Sequence, residues 1–226
     1  MAIFGLMVAS MAIPIATTDA AVAACHGDTG KEIAVTVQSS FADPTYDFTR
    51  RQSDLSGRPG LAGYRLMGLT EIEKTSHISV GIRYRHPQNH QGVCYDVADI
   101  QVTLIAEPVR VYVATEHQKG SCPFKVTLSH ENKHVAIERA ALAQHAASLR
   151  QQLQRTGRHG WRHAASPGTA VQDAHQRVQT IVSATLRSME TETTWRHGRL
   201  DSPANYQREH TLCRDAPAEA AAESRL

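Results

Sequence analysis

The sequence predicts an α+β fold, in which a small, mainly antiparallel sheet is followed by a long helical hairpin. Short β-branched runs separated by Gly and Pro dominate the chain up to about residue 118. From there to about residue 214, apolar residues recur at helical spacing. Strands followed by helices along a chain are typical of α+β domains. A chain of 226 residues that is 41% hydrophobic is sufficient for one such domain.

The strand-like segments alternate β-branched and polar residues, as half-buried strands do. Loops that contain Gly, Pro or Asn separate them at Ser53–Gly63 and His86–Gly92. Pro108 divides the last two segments, which could pair as a hairpin. The predicted strands are Glu32–Gln38, Gly63–Leu69, His77–Tyr84, Val97–Ala106 and Val109–Thr115.

The first predicted helix begins near Pro123 and ends where Gly157–Gly168 interrupts the pattern. One face of this helix carries an apolar residue at every seventh position, so we expect that face to pack on the core. The stripe consists of Leu128, Val135, Leu142 and Leu149.

A second helix is predicted from about Thr169 to Arg196, with Gly198 as its end. A short third helix begins at Ser202-Pro203 and reaches Cys213. Residues 215–226 are rich in Ala and Glu, and we expect them to be a disordered tail. The prediction is therefore one domain over residues 25–214, with a strand-rich part (25–118) and a helical part (119–214).

Residues 1–24 resemble a secretory signal peptide, because an uncharged apolar run is followed by small residues with an Ala-x-Ala site. The run is too short to cross a bilayer comfortably. We therefore expect a periplasmic or secreted protein whose mature chain has no transmembrane span. A buried N-terminal helix is one alternative, and a lipoprotein acylated at Cys25 is another.

Four cysteines, an even number, predict two disulfides in an exported chain, and acylation of Cys25 would leave three. They allow three pairings. We expect Cys94–Cys122 and Cys25–Cys213, because the first bridge would brace the segment that leads into the long helix.

The charge balance argues against a nucleic-acid partner, since Lys+Arg is 24 and Asp+Glu is 22. The unusual feature of the composition is its 13 histidines. Histidine is the commonest protein ligand for metals, so its spacing in the chain is informative.

His130-Glu131-Asn132-Lys133-His134 has the pattern H-E-x-x-H. In a helix, positions i and i+4 share a face, so both imidazoles can bind one zinc ion. The Glu beside the first His can then act as general base. A helical wheel places both histidines away from the apolar stripe, as an active-site helix requires. The alternative is a pair of surface histidines.

A catalytic zinc ion needs a third protein ligand. The extended metzincin pattern is absent, because Ile137 and Ala140 occupy its Gly and His positions. An antiparallel hairpin centred near residue 162 would bring residues 190–194 opposite the motif. The candidates in that region are Glu190, Glu192, His197 and Asp201.

The spacing of the residues leaves these four candidates open. Either Glu would make a site like that of gluzincins. Asp201 followed by Tyr206 resembles the zincins with an aspartate ligand, whose Tyr can donate to the developing oxyanion. Asp201 could instead cap the third helix. Glu138 and His145 lie further along the first helix, where we expect them to be solvated charges.

Several short motifs of this chain occur together in one known family. They are Cys94-Tyr95-Asp96, the strands Ile100–Leu104 and Val111–Ala114, Gly120-Ser121-Cys122, His130-Glu131-x-x-His134-Val135, and Leu200–Pro203 with Tyr206 and Cys213. In these motifs the chain resembles a family of secreted bacterial zinc-dependent peptidases, which is largely described as a domain of unknown function. The likeness covers about Glu32 to Cys213, and its strongest part is Cys94 to His134.

This resemblance implies a zincin-like fold, with His130 and His134 as zinc ligands and Glu131 as base. It favours Asp201 as third ligand, because Asp201 belongs to the family-like C-terminal stretch. The expected function is an exported zinc metallopeptidase that acts on peptides or proteins, with the strand Val109–Thr115 at the edge of its cleft. The alternatives are an exported zinc-binding protein without turnover and a cell-envelope interaction module.

Overall fold

The computed structural model describes Cys25 and residues 33–55, 66–88, 91–156 and 160–214. The expected signal peptide and the expected disordered tail both lie outside the described residues, as does most of the loop predicted at Ser53–Gly63. The described part is a mixed α and β structure, as the sequence predicts. None of its helices is both long and apolar enough to cross a membrane.

One long central strand organises the five-stranded sheet. The strands are β1 (Ala34–Phe41), β2 (Thr45–Asp47), β3 (Gly68–Arg85), β4 (Val93–Val113) and β5 (Arg162–Ala164). β3 pairs with β4 along almost its whole length. The other side of β4 pairs in turn with β5, β1 and β2.

The sheet is mixed and not mainly antiparallel as expected, because β1 and β2 run parallel to β4 while β3 and β5 run antiparallel to it. Alternation of apolar residues indicates which face of a strand is buried, but it does not indicate the strand's neighbour or direction. Here β1 and β2 lie end to end along the side of β4 that faces away from β3.

The expected hairpin at Pro108 is also wrong, since this residue lies within β4. Proline lacks the N–H that a regular ladder requires, so strands accept it at irregular positions. Pro108 occupies such a position, where the pairing with β3 shifts register between Ile72 and Lys74. On its other side, β1 ends opposite Ala106 and β2 begins opposite Arg110.

The long helices lie close to their predicted positions. After the short α1 (Gln52–Leu55) come α2 (Cys122–Thr156), α3 (Pro167–Leu200) and α4 (Pro203–Arg214). Ser166 and Thr169 form a capping box at the start of α3, and Pro167 occupies its first turn. α3 continues past Gly198, where the sequence predicts its end.

α2 and α3 pack antiparallel on one face of the sheet. The alternate residues Ile100, Val102 and Leu104 of β4 point into this layer and are at most 3% exposed. The predicted stripe on α2 meets them, with Leu142 and Leu149 also buried. α3 packs against the same core with its own apolar stripe, which includes Val178, Val182 and Met189.

All four cysteines form disulfides, but the expected pairing is wrong. The bridges are Cys25–Cys94 and Cys122–Cys213. Cys94 and Cys122 cannot meet, because β4 runs from Cys94 as an extended strand that carries the chain tens of ångströms away at about 3.3 Å per residue. Two disulfides indicate a non-reducing environment, such as the cell exterior.

Candidate metal centre

The two histidines of the H-E-x-x-H segment lie one turn apart on the same face of α2. Their ring centroids are 5.0 Å apart, and 3.2 Å separates the Nε2 atoms of His130 and His134. His130 is only 3% exposed, because residues at the end of α3 and on α4 cover it. The alternative of a surface histidine pair is therefore wrong.

Asp201 joins these two histidines. Its Oδ1 atom lies 3.0 Å from Nε2 of His130 and 3.0 Å from Nε2 of His134. The three atoms thus form a nearly equilateral triangle. Among the described residues, these three side chains form a group that could hold a metal ion.

The backbone at the junction of α3 and α4 directs the Asp201 side chain. The N–H of Asp201 donates to the carbonyl of His197 at 2.8 Å, so this residue is the C-cap of α3. The next residue, Ser202, caps α4, since its Oγ accepts from the N–H of Asn205 at 3.4 Å. Ser202 therefore caps α4 in place of Asp201. The carboxylate of Asp201 faces the two histidines instead.

The other candidate ligands lie elsewhere on α3. Glu190 is exposed, and the carboxylate of Glu192 pairs with Nε2 of His145 at 2.8 Å. His197 is close, but its Nδ1 lies 2.7 Å from Nδ1 of His134, the ring nitrogen that is not in the group of three.

The hairpin is offset from the expected register by several residues. His134 contacts His197, and His145 contacts Glu192. These pairs are centred on the start of α3 and not on residue 162. The connection between the helices contains β5, which pairs with β4.

The expectation that Glu138 and His145 are solvated charges is wrong. Glu138 is 8% exposed, and it accepts hydrogen bonds from Lys74 Nζ and His197 Nε2, both at 3.0 Å. His145 lies between α2 and α3 in its pair with Glu192. Both residues thus belong to the polar contacts between the helices.

Each histidine of the group is held through its second ring nitrogen. Nδ1 of His130 lies 2.8 Å from Oε2 of Glu209, a carboxylate on α4 that is 7% exposed. Lys133 and Asn205 donate to the other oxygen of Glu209 at 2.6 and 3.2 Å. Such contacts orient a ligand ring and fix which nitrogen faces a metal.

Glu131 lies at the wall formed by α2 and the start of β3. It is 5% exposed, and Thr70 Oγ1 donates to its Oε2 at 2.8 Å. Burial raises the pKa of the Glu131 carboxyl, although the charge of His134 and the hydrogen bond from Thr70 oppose the shift.

The start of β3 is shaped to admit this carboxyl. A Cβ atom at Gly68 would come within 2.4 Å of Oε1 of Glu131 and within 2.8 Å of a Thr127 methyl carbon. Only glycine leaves this space, so we expect any side chain at position 68 to displace Glu131.

Tyr206 of α4 completes the surroundings of the group. Its ring stacks on His130 with centroids 5.0 Å apart, and its hydroxyl lies 3.4 Å from Oδ1 of Asp201. Burial, with the nearby charges of Asp201 and Glu131, raises the pKa of the phenol, so it stays protonated at neutral pH.

Asp201 and His130 shift one another's pKa values. Burial by itself raises the pKa of Asp201, but hydrogen bonds to His130 and His134 outweigh burial and hold that pKa well below its usual range. Burial likewise lowers the pKa of His130, and the hydrogen bond to Asp201 with the charges of Glu131 and Glu209 raises it overall.

Sequence reasoning missed Glu209, Thr70 and Gly68. The sequence could have indicated Glu209, because it follows Tyr206 by three residues and therefore lies on the same face of the helix. Thr70 and Gly68 had none, because the sequence does not show which strand packs against the motif.

The described residues thus bring together His130, His134 and Asp201, with Glu131 and Tyr206 beside them. Partners on β3, α3 and α4 hold these side chains in place. The chain matches no protein-family model, no curated protein and no solved structure.

Proposed function

We propose that this protein is an exported zinc-dependent metallopeptidase, with His130, His134 and Asp201 as zinc ligands and Glu131 as general base. The observation that carries the proposal is the triangle of ligand atoms 3.0–3.2 Å apart beside a buried glutamate. The two disulfides agree with export.

The donor set suits zinc. Two imidazoles and one carboxylate are a common set for catalytic zinc, which takes three protein ligands and leaves one position open. Bonds of about 2.0–2.1 Å in a tetrahedral site place ligand atoms roughly 3.3–3.4 Å apart. The triangle in the structure needs to widen by only a few tenths of an ångström.

Zinc at this position supplies a Lewis acid that polarises the scissile carbonyl and acidifies a water molecule. Glu131 accepts the proton from the attacking water through its carboxylate and passes it to the leaving amine. Its raised pKa suits this task, because a base works best when its pKa lies near the working pH. Thr70 holds the carboxylate in place meanwhile.

Tyr206 donates its hydroxyl proton in a hydrogen bond to the oxyanion that develops on the substrate carbonyl. Its position supports this role, because the phenol stacks on His130 and reaches the edge of the group. Its raised pKa keeps the phenol a donor at neutral pH.

The strand that could form the edge of a substrate cleft beside the three ligands is not the expected one. Val109–Thr115 lies mostly in β4, which pairs with strands on both sides and offers no free edge. Among the described residues, no strand pairs with the outer side of β3. Because Gly68 and Thr70 of β3 contact Glu131, an extended substrate along β3 would pass the proposed base.

The test is a peptide-library digest with and without chelator, together with zinc analysis of purified variants. We expect one zinc per chain and cleavage that the chelator abolishes. His134→Ala and Asp201→Asn should lose zinc and cleavage together. Glu131→Gln should keep zinc and lose at least about 100-fold in rate, since a general base contributes that much.

Glu192→Gln is the matched control, because it removes a carboxylate of α3 outside the group and should keep both zinc and cleavage. A wild-type protein that binds no zinc would refute the proposal. Stoichiometric zinc without cleavage of any peptide would instead identify an exported zinc-binding protein without turnover.

A further inference from the structure

His134 begins a chain of hydrogen bonds that leads away from the group. Its Nδ1 lies 2.7 Å from Nδ1 of His197, and Nε2 of His197 lies 3.0 Å from Oε1 of Glu138. Lys74 of β3 closes the chain by donating to Oε2 of Glu138 at 3.0 Å. The chain joins α2, α3 and β3.

Metal binding through Nε2 of His134 would fix the direction of each hydrogen bond. With that lone pair on the metal, Nδ1 of His134 carries the proton and donates to Nδ1 of His197 at 2.7 Å. An imidazole that accepts at Nδ1 carries its own proton on Nε2, so His197 donates to the carboxylate of Glu138 at 3.0 Å. Lys74 donates to the other oxygen of that carboxylate.

Nε2 of His134 is the atom that faces Asp201 and His130. His197 contacts the other nitrogen of that ring, with ring centroids 4.8 Å apart. Because His197 is not in the group of three, it contacts the ligand and not the proposed metal.

We propose that His197 is a positioning residue, which accepts the Nδ1 proton of His134, is itself oriented by Glu138, and so aims Nε2 of His134 at the metal. The inference rests on the proposed function. It assigns a second role to a residue that the sequence presented only as an alternative ligand.

The two histidines of the group are thus held in different ways. His130 donates directly to a carboxylate, Glu209, whereas His134 reaches its carboxylate through another imidazole. Removal of His197 leaves the Nδ1 proton of His134 without its acceptor, and the ring can turn or change tautomer.

The experiment measures zinc affinity by competition with a chelator in wild type, His197→Ala and His197→Gln. We expect His197→Ala to weaken zinc binding by about 10- to 100-fold, the usual loss for such contacts. His197→Gln should recover most of the affinity, because its amide oxygen can accept from His134 while its NH₂ group donates to Glu138.

His145→Ala is the matched control. It removes another half-buried histidine that pairs with a carboxylate between the same two helices, but that pair does not touch the group. We expect its zinc affinity to equal that of wild type. A loss as large as that of His197→Ala would show that packing between α2 and α3 is the cause, and it would overturn the proposal.

Nitrogen-15 NMR of the imidazoles gives a readout that packing alone does not change. We expect His197 in the zinc-loaded wild type at neutral pH to carry its proton on Nε2 and to accept through Nδ1. A proton on Nδ1 of His197 would refute the proposal even if the variants fail to fold.

The remaining outcomes separate the two proposals. Unchanged zinc affinity in His197→Ala overturns the positioning role and leaves the metallopeptidase proposal standing. Complete loss of stoichiometric zinc in both His197 variants, with zinc retained in Asp201→Asn, would make His197 the third ligand. Stoichiometric zinc without cleavage refutes the metallopeptidase and leaves the positioning role standing, whereas a wild type that binds no zinc overturns both.

Discussion

The two ends of the α2–α3 hairpin bury different kinds of side chain. At the closed end, where α2 finishes and α3 begins, the buried residues Leu149, Leu153 and Ala170 are apolar. At the open end, where α2 begins and α3 finishes, four ionisable side chains are buried as well as apolar ones such as Phe124 and Val135. The ionisable ones are His130, Glu131, Glu138 and Glu209.

Burial of ionisable groups costs free energy unless each has a partner. Every one of these four residues has such a partner in a neighbouring element. The difference teaches that the closed end is stabilised by apolar packing, whereas the open end uses buried polar contacts to place the side chains that could hold a metal ion.

The largest expected effect comes from the disulfides, since one lies at each end. Chain entropy predicts that loss of either bridge lowers the free energy of unfolding by about 4.5 kcal/mol, because the loops span 69 and 91 residues. Only loss of Cys122–Cys213 should also weaken zinc binding, since it releases α4 and with it Glu209.

Denaturant unfolding and chelator competition on the Cys25→Ser/Cys94→Ser and Cys122→Ser/Cys213→Ser variants measure both quantities. Equal zinc affinity in the two variants would contradict the prediction that only the bridge at the open end of the hairpin supports zinc binding.

A core truncation at the closed end gives the next effect. Leu149 is fully buried between the helices and the sheet. Leu149→Ala should destabilise the fold by about 2–5 kcal/mol through lost burial and a cavity. Zinc affinity of the folded protein should stay within about twofold, because the polar contacts of the open end are untouched. Unfolding by urea and chelator competition give the two values.

The smallest effect concerns Tyr95, whose hydroxyl donates to Asp173 near the closed end. Burial, followed by the contact with Asp173, raises the pKa of Tyr95 from 10.0 to about 12. Between these values the unfolded chain loses the phenol proton while the folded protein keeps it, so stability falls as pH rises.

Tyr95→Phe should remove this alkaline loss and should cost about 1 kcal/mol at neutral pH for the lost hydrogen bond. Unfolding free energies of metal-free wild type and variant at about pH 8 and about pH 11 test the sign. A parallel alkaline decline in both proteins would rule out Tyr95 as its source.

Local patterns predicted the parts of this molecule that depend on neighbouring residues. Of the predicted stripe on α2, Val135, Leu142 and Leu149 are buried and Leu128 is half-buried, and the break before Ser166 separates two long helices. The spacing of His130 and His134 placed both rings on one face. Helical periodicity dictates these features whatever the rest of the chain does.

Features that depend on distant partners were not predictable in this way. The stripe shows that a face is buried but not by which element, so Glu138 was mistaken for a solvated charge. The cysteine count predicted two bridges, but β4 decides that Cys94 meets Cys25. The offset of the hairpin brings His197 and Asp201, rather than Glu190, to the histidines.

The position of Asp201 along the chain has a thermodynamic consequence. His130 and Asp201 are 71 residues apart in sequence, and Asp201 also terminates α3. A ligand that joins the two therefore ties the start of α2 to the end of α3, inside the loop that the Cys122–Cys213 bridge already closes. Its binding free energy adds to that of folding, so the melting temperature should depend on free metal concentration.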